Sequence, residues 1–134
     1  MGVVSADHVR RCVELGIAQI GHGRRAGLAR LGAGDGLVYY SPRRARGDAG
    51  TLRAFTAVGR IADDELWQAD EGGFHPWRHR AEYEPVPDPV PLDRVRTGLE
   101  LTRAPNWGYP LRRGLVELSR GDFERIADAC RTGA

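Results

Sequence analysis

A length of 134 residues fits one folding unit, and a 41% apolar fraction is enough to build a core. The net charge of +2 falls short of the strongly basic balance of a dedicated DNA-binding module, so charge alone assigns no nucleic-acid partner. All 20 basic residues are arginine, which codon bias accounts for, although guanidinium is also the group that meets phosphate in planar, two-pronged fashion.

In chain order, Gly2 to Val4 predicts a short first strand, and Ser5 or Asp7 can cap the helix that follows. Val9, Cys12 and Val13 recur at helical spacing, and Gly16 supplies a left-handed stop. A second apolar stretch, Ile17 to Ile20, runs into a basic turn, His22-Gly23-Arg24-Arg25, and a short amphipathic segment with Leu28 and Leu31. Gly34-Asp35-Gly36 is a tight turn into a strand over Leu37 to Tyr40. A polar loop from Pro42 to Gly50 leads to the longest strand candidate, Leu52 to Ala62, in which Gly59 marks a bulge or a close backbone approach.

Trp67 to Arg80 reads as irregular, with a further strand from Arg80 to Tyr83. Alternating Pro85, Pro87, Pro89 and Pro91 force an extended crossover inside the domain. Leu115 to Leu118 predicts a last strand. Ser119 then caps a helix with Asp122 in a capping-box position, and Leu118 and Phe123 occupy the places of a hydrophobic staple. Phe123, Ile126, Ala127 and Cys130 form one apolar stripe. Roughly five short strands with two or three peripheral helices predict an α+β domain on a small curved sheet or barrel.

Several chemistries find little support. Cys12 and Cys130 fall in predicted helices and read as small buried hydrophobes rather than a disulfide. His75 and His79 flank Pro76, which argues against a helical ligand pair, and there is no Cys-x-x-Cys, so no metal is expected. Asp63-Asp64-Glu65 and Asp70-Glu71-Gly72-Gly73 read as solvated turns rather than catalytic carboxylates, and neither a nucleophile elbow nor a phosphate loop is present. No apolar run approaches the roughly 20 residues of a membrane span. The stretch Met1 to Asp7 lacks the basic and then apolar start of a secretory signal. These features predict a cytoplasmic protein with no membrane partner and no cofactor.

The segments Gln19-Ile20-Gly21-His22-Gly23-Arg24-Arg25-Ala26-Gly27-Leu28-Ala29-Arg30-Leu31, Gly34-Asp35 and Tyr39-Tyr40-Ser41-Pro42-Arg43 are similar, in order and spacing, to the bacterial branch of the EVE-domain family. So are Phe55-Thr56-Ala57-Val58-Gly59-Arg60, Pro76-Trp77-Arg78 and Asn106-Trp107-Gly108-Tyr109. Each piece is weak by itself, but together they span almost the whole chain. The resemblance implies a PUA-like pseudo-barrel, related to the ASCH and YTH domains, with five or six mostly antiparallel strands and peripheral helices. It also implies a non-enzymatic reader that holds a nucleic-acid base, plain or modified, in an aromatic and polar pocket. The chain departs from the family pattern where Met1-Gly2 stands in place of an aromatic residue, where Arg24 replaces Lys, and where Gly27 replaces Pro.

A base reader needs flat faces for the ring and polar groups for its edge. Trp77, Trp107, Tyr109, Tyr39 and Tyr40 are the available faces, with Trp107 the first choice and only one of the adjacent tyrosines able to face a given cavity. Ser5, His22 and Ser41 are the edge readers; Arg24, Arg25 and Arg43 are the phosphate contacts. The expected partner is RNA or DNA, bound by a monomer or weak homodimer. The alternatives are a small enzyme that uses His22 and a carboxylate for proton transfer, and an interaction protein with a flat apolar face.

Overall fold

A computed structural model describes residues 1–132 of the protein. Its strands are β1 (Gly2–Val3), β2 (Ile17–Ala18), β3 (Gly36–Ser41), β4 (Ala54–Gln68), β5 (Trp77–Glu84) and β6 (Val90–Pro91). Its helices are α1 (Ala6–Leu15), α2 (Arg25–Leu28), α3 (Leu92–Val95) and α4 (Arg120–Thr132), with short 3₁₀ turns between them. The strands form one curled sheet in the order β1-β3-β4-β5-β2, with β6 also paired to β4. All pairings are antiparallel except β1 with β3. This is the expected α+β half-barrel with peripheral helices.

At β3 the sheet is buried on both faces. In β3, Val38 and Tyr40 join the cluster that α4 covers with Ile126, Ala127 and Cys130, while Leu37 and Tyr39 join a second cluster with Val9 of α1 and Leu28 of α2. The period of two in an extended strand therefore serves two cores at once. The β3–β4 register slips between Tyr39 and Tyr40, opposite Ala57 and Phe55, so Thr56 bulges out of the pairing.

Gly59 meets the predicted close approach: a Cβ there would lie 2.3 Å from the Glu82 carbonyl oxygen. Gly16 ends α1 at φ 67°, its N–H reaching the carbonyls of Cys12 and Val13.

Three expectations need correction. Asp63-Asp64-Glu65 is not a turn but part of β4, which runs on to Gln68 because a second register shift, between Ile61 and Leu66, lets the strand bend and continue. The irregular stretch shrinks accordingly, since β5 begins at Trp77 and the two strands are joined by a tight turn with Gly72 and Gly73 both at positive φ. Leu115 to Leu118 makes only an isolated bridge, Gly2 to Leu115, although the Val116 N–H does donate to the Met1 carbonyl.

At the C-terminal helix, Ser119 Oγ accepts the Asp122 N–H at 3.1 Å as the cap reading requires. The Asp122 carboxylate does not reach back to the cap. It accepts the N–H groups of Glu100 (2.8 Å) and Leu101 (2.9 Å), tying α4 to the preceding turns.

Candidate functional site

Near the start of the chain, five segments surround a hollow of about 610 Å³. They are the stretch Val3 to Ser5, His8 on α1, the turn Gly21 to Arg24, part of the loop after β3 from Pro42 to Gly47, and the C-terminal turn Leu111 to Gly114. Backbone hydrogen bonds lock these pieces together. Val3 N–H donates to the Gly114 carbonyl, and Val4 N–H to that of Tyr40. The first free N–H groups of α1, on Ala6 and Asp7, donate to the carbonyls of Arg43 and Arg44 at 3.0 and 2.9 Å. Loop carbonyls thus do the capping that Ser5 was expected to do, and the Ser5 hydroxyl makes no cap hydrogen bond. That hydroxyl is left to line the hollow.

His22 is held in an unusual backbone. Gly21, His22 and Gly23 have φ values of 62°, 60° and 78°, a short left-handed turn with one non-glycine residue at its centre. A left-handed side-chain-bearing residue costs about 1–2 kcal/mol, which the surrounding packing must offset. Gly23 is indispensable to this arrangement, because a Cβ there would come within 2.5 Å of the Pro76 Cβ. Gly114, also left-handed at φ 79°, brings its backbone against that of Gly21, and a Cβ on it would stand 3.4 Å from the Gly21 Cα. Two glycines therefore meet beside the hollow where larger residues would crowd it.

The charge of the lining is one-sided. Arg24, Arg43, Arg46, Arg112 and Arg113 line it together with His8 and His22, and no Asp or Glu does. Among the described residues none of these five guanidiniums forms an ion pair. Arg43 donates to the Asp48 carbonyl and Arg112 lies over the Tyr109 ring, contacts that leave their charge uncompensated. The His8 Nε2 lies 2.9 Å from the Gln19 carbonyl oxygen; a carbonyl only accepts, so Nε2 carries the proton. Unpaired guanidiniums gathered in this way are groups able to receive an anion.

A UPF0310 protein of Renibacterium salmoninarum is 50% identical to this chain over 129 residues, covering 96% of the chain and 92% of the relative. The chain belongs to the UPF0310 family. Further members from Mesorhizobium japonicum and Bacillus subtilis are 41% and 37% identical, each spanning 96% of this chain and 89% of their own length. No model of a known protein family matches the chain.

Within this UPF0310 fold, four of the expected site residues, Ser5, His22, Arg24 and Arg43, come together in the hollow. The others do not. Tyr40 is only 4% exposed and packs edge-on against Phe55 in the main core, because its strand position faces α4. Tyr39, on the other face of β3, is fully buried, and burial pushes its phenol well above the usual range. Ser41 is likewise sealed and spends its hydroxyl on Thr56 Oγ1 at 2.8 Å, so it reads no ligand. Trp77 packs against the second cluster under the Arg25 guanidinium, 5.4 Å from the ring centroid, and neither residue lines the hollow. Trp107 packs against the main core, with Arg96 over it at 5.2 Å. It braces the turn whose continuation, Leu111 to Gly114, forms one wall. Tyr109 stands outside the hollow, exposed. The expected aromatic sandwich is absent, and the flat groups lining the cavity are imidazole and guanidinium.

The sequence marks Arg46 only as one of the arginines of the Pro42 to Gly50 loop, and it does not single out His8, Arg112 or Arg113 for this site. Arg112-Arg113 follows closely on the Asn106 to Tyr109 motif, and that proximity was the available signal.

The cysteines are free and buried, and burial raises both thiols, that of Cys130 to about 11, so they remain protonated and unreactive. Glu71 bonds Arg11 on α1 and Arg78 on β5. Burial raises its carboxyl, but the Arg78 hydrogen bond and the two positive charges outweigh this and hold it below the usual range. No helix among the described residues is long and apolar enough to cross a membrane.

Proposed function

We propose that this UPF0310 chain is a non-enzymatic cytoplasmic module of the EVE and PUA-like kind that captures a base, plain or modified, from RNA or DNA in the arginine-lined hollow. One observation carries the reading. Ser5, His22, Arg24 and Arg43, drawn from separate segments, line a single hollow together with three more arginines and no carboxylate.

In this mechanism the guanidiniums hold phosphates on either side of the captured nucleotide, which supplies affinity without sequence information. The ring lies flat against imidazole and guanidinium planes. The Ser5 hydroxyl and the imidazole nitrogens of His22 face the ring's edge and supply the selectivity. The left-handed backbone at His22 fixes the direction in which that side chain leaves the chain, so less ordering is needed on binding. The enzyme alternative needs a carboxylate beside His22, and the lining supplies none.

Binding of labelled single-stranded oligonucleotides, plain and base-modified, tests the proposal by fluorescence anisotropy across a salt series. Affinity is expected to fall by about 10- to 100-fold between roughly 50 and 200 mM salt if the five arginines hold two to five phosphates of a single strand. No binding at the low-salt end overturns it.

A further inference from the structure

At the mouth of the hollow, Arg112 belongs to two arrangements at once. It lines the cavity, and its guanidinium lies 5.6 Å from the centroid of the Tyr109 ring. We infer that Tyr109 and Arg112 form a stacking surface for the base next to the captured one, so that the ligand is a single-stranded polynucleotide rather than a free nucleotide. This rests on the base-capture reading of the hollow and extends it to the neighbouring residue of the ligand.

Tyr109 is 64% exposed, more than Val13, Leu15 or Phe74, the other large apolar groups left in water. It is not exposed because its segment is loose. Its N–H donates to the Asn106 carbonyl at 2.9 Å, with Asn106 itself left-handed at φ 59°, and its own carbonyl accepts the Arg112 N–H at 3.2 Å. Two residues earlier, Trp107 packs into the main core beneath Arg96. A braced turn thus holds a phenol ring in solvent, where it forgoes the gain of burial. Arg112 lies over the ring, and nearly two-thirds of the tyrosine stays exposed beside it.

A flat, unpaired base can stack on that exposed ring, and stacking on tyrosine beside a guanidinium is tolerant of sequence because every base offers a π-face. The division of labour follows from the chemistry. The hollow selects one base, and the Tyr109 surface adds affinity for whatever base comes next. A paired duplex has its bases stacked on one another and offers no such face.

The test compares two short single-stranded oligonucleotides, one with every base present and one with a single base among abasic sites, against the wild-type chain, Tyr109→Ala and Tyr109→Phe. The wild type is expected to bind the full strand about tenfold or more tighter than the abasic one. Tyr109→Ala is expected to bind the two strands alike while keeping the wild-type thermal midpoint, and Tyr109→Phe to keep the wild-type preference, since its ring still stacks. A wild type indifferent to the abasic sites, or a Tyr109→Ala chain that still senses them, overturns the stacking surface and leaves the hollow's base capture standing. A wild type that binds neither strand overturns both.

Discussion

Two of the hollows among the described residues are nearly equal in size, about 610 and 580 Å³, and their linings differ in one physical respect. The first gathers five arginines with no carboxylate. The second gathers Arg30, Arg60 and Arg120 with Asp35, Glu117 and Glu124, and two of its three arginines are paired with those carboxylates. Arg30 pairs with Glu117 at 3.6 Å and Arg120 with Glu124 at 3.1 Å, while Arg60 donates to the Gly34 carbonyl and lies over the Phe123 ring. Equal volume does not make equal sites. What separates the two is charge and polar capacity left unspent in the first, the feature on which the proposed binding rests.

The sharpest way to break this contrast is to remove arginines from each hollow in turn. Arg24→Ala with Arg113→Ala is expected to weaken oligonucleotide binding about a hundredfold, since each charge-assisted hydrogen bond is worth about 1.5–3 kcal/mol before context reduces it. The slope of log affinity against log salt should fall by about one for each phosphate the altered chain no longer holds. Arg30→Ala with Arg120→Ala should change neither quantity. Equal losses from both pairs, measured by anisotropy, would erase the distinction.

Next in size are changes to the frames that hold the two hollows. Gly23→Ala forces a left-handed alanine against Pro76 and is expected to cost about 2–4 kcal/mol of stability, taking binding with it as the His22 turn shifts. Asp122→Ala strips the Glu100 and Leu101 N–H groups of their acceptor at the start of α4, whose Phe123 and Glu124 line the second hollow. It should cost about 1–3 kcal/mol while leaving oligonucleotide affinity intact for the folded fraction. Urea unfolding and binding measured on the same samples separate the two outcomes.

The smallest expected effect isolates one hydroxyl. A serine at an N-cap position ordinarily loses about 0.5–2 kcal/mol when changed to alanine. Ser5→Ala should instead stay within about 0.5 kcal/mol of the wild type, because Arg43 and Arg44 carbonyls take the α1 N–H groups. Base selectivity, by contrast, should drop several-fold if the hydroxyl reads the ring edge, by about 1 kcal/mol. A clear loss of stability would return Ser5 to the capping role.

A linear reading of the chain holds at some elements and fails at others. The Gly16 stop, the Gly59 close approach and the Ser119 cap were legible because each depends on residues adjacent in the chain or on a backbone rule that glycine alone satisfies. The reading failed at Asp63 to Glu65, where three acidic residues in a row look like a turn. There a bulge between Ile61 and Leu66 lets β4 bend and run on, and pairing with β5 decided the matter. It failed again at Tyr40 and Ser41, whose side chains look like ligand groups in sequence and are consumed by Phe55 and Thr56 across the sheet.

The sequence by itself determined the local grammar of this protein: where α1 stops and α4 starts, which strand positions are apolar, and that its cations are guanidiniums. Short-range sterics and hydrogen bonding govern those features, and they travel with the chain. Only the tertiary structure decided which arginines stand unpaired around one cavity and which are matched by carboxylates elsewhere. Segments far apart in sequence, from His8 to Arg113, meet there through backbone hydrogen bonds that no local pattern encodes.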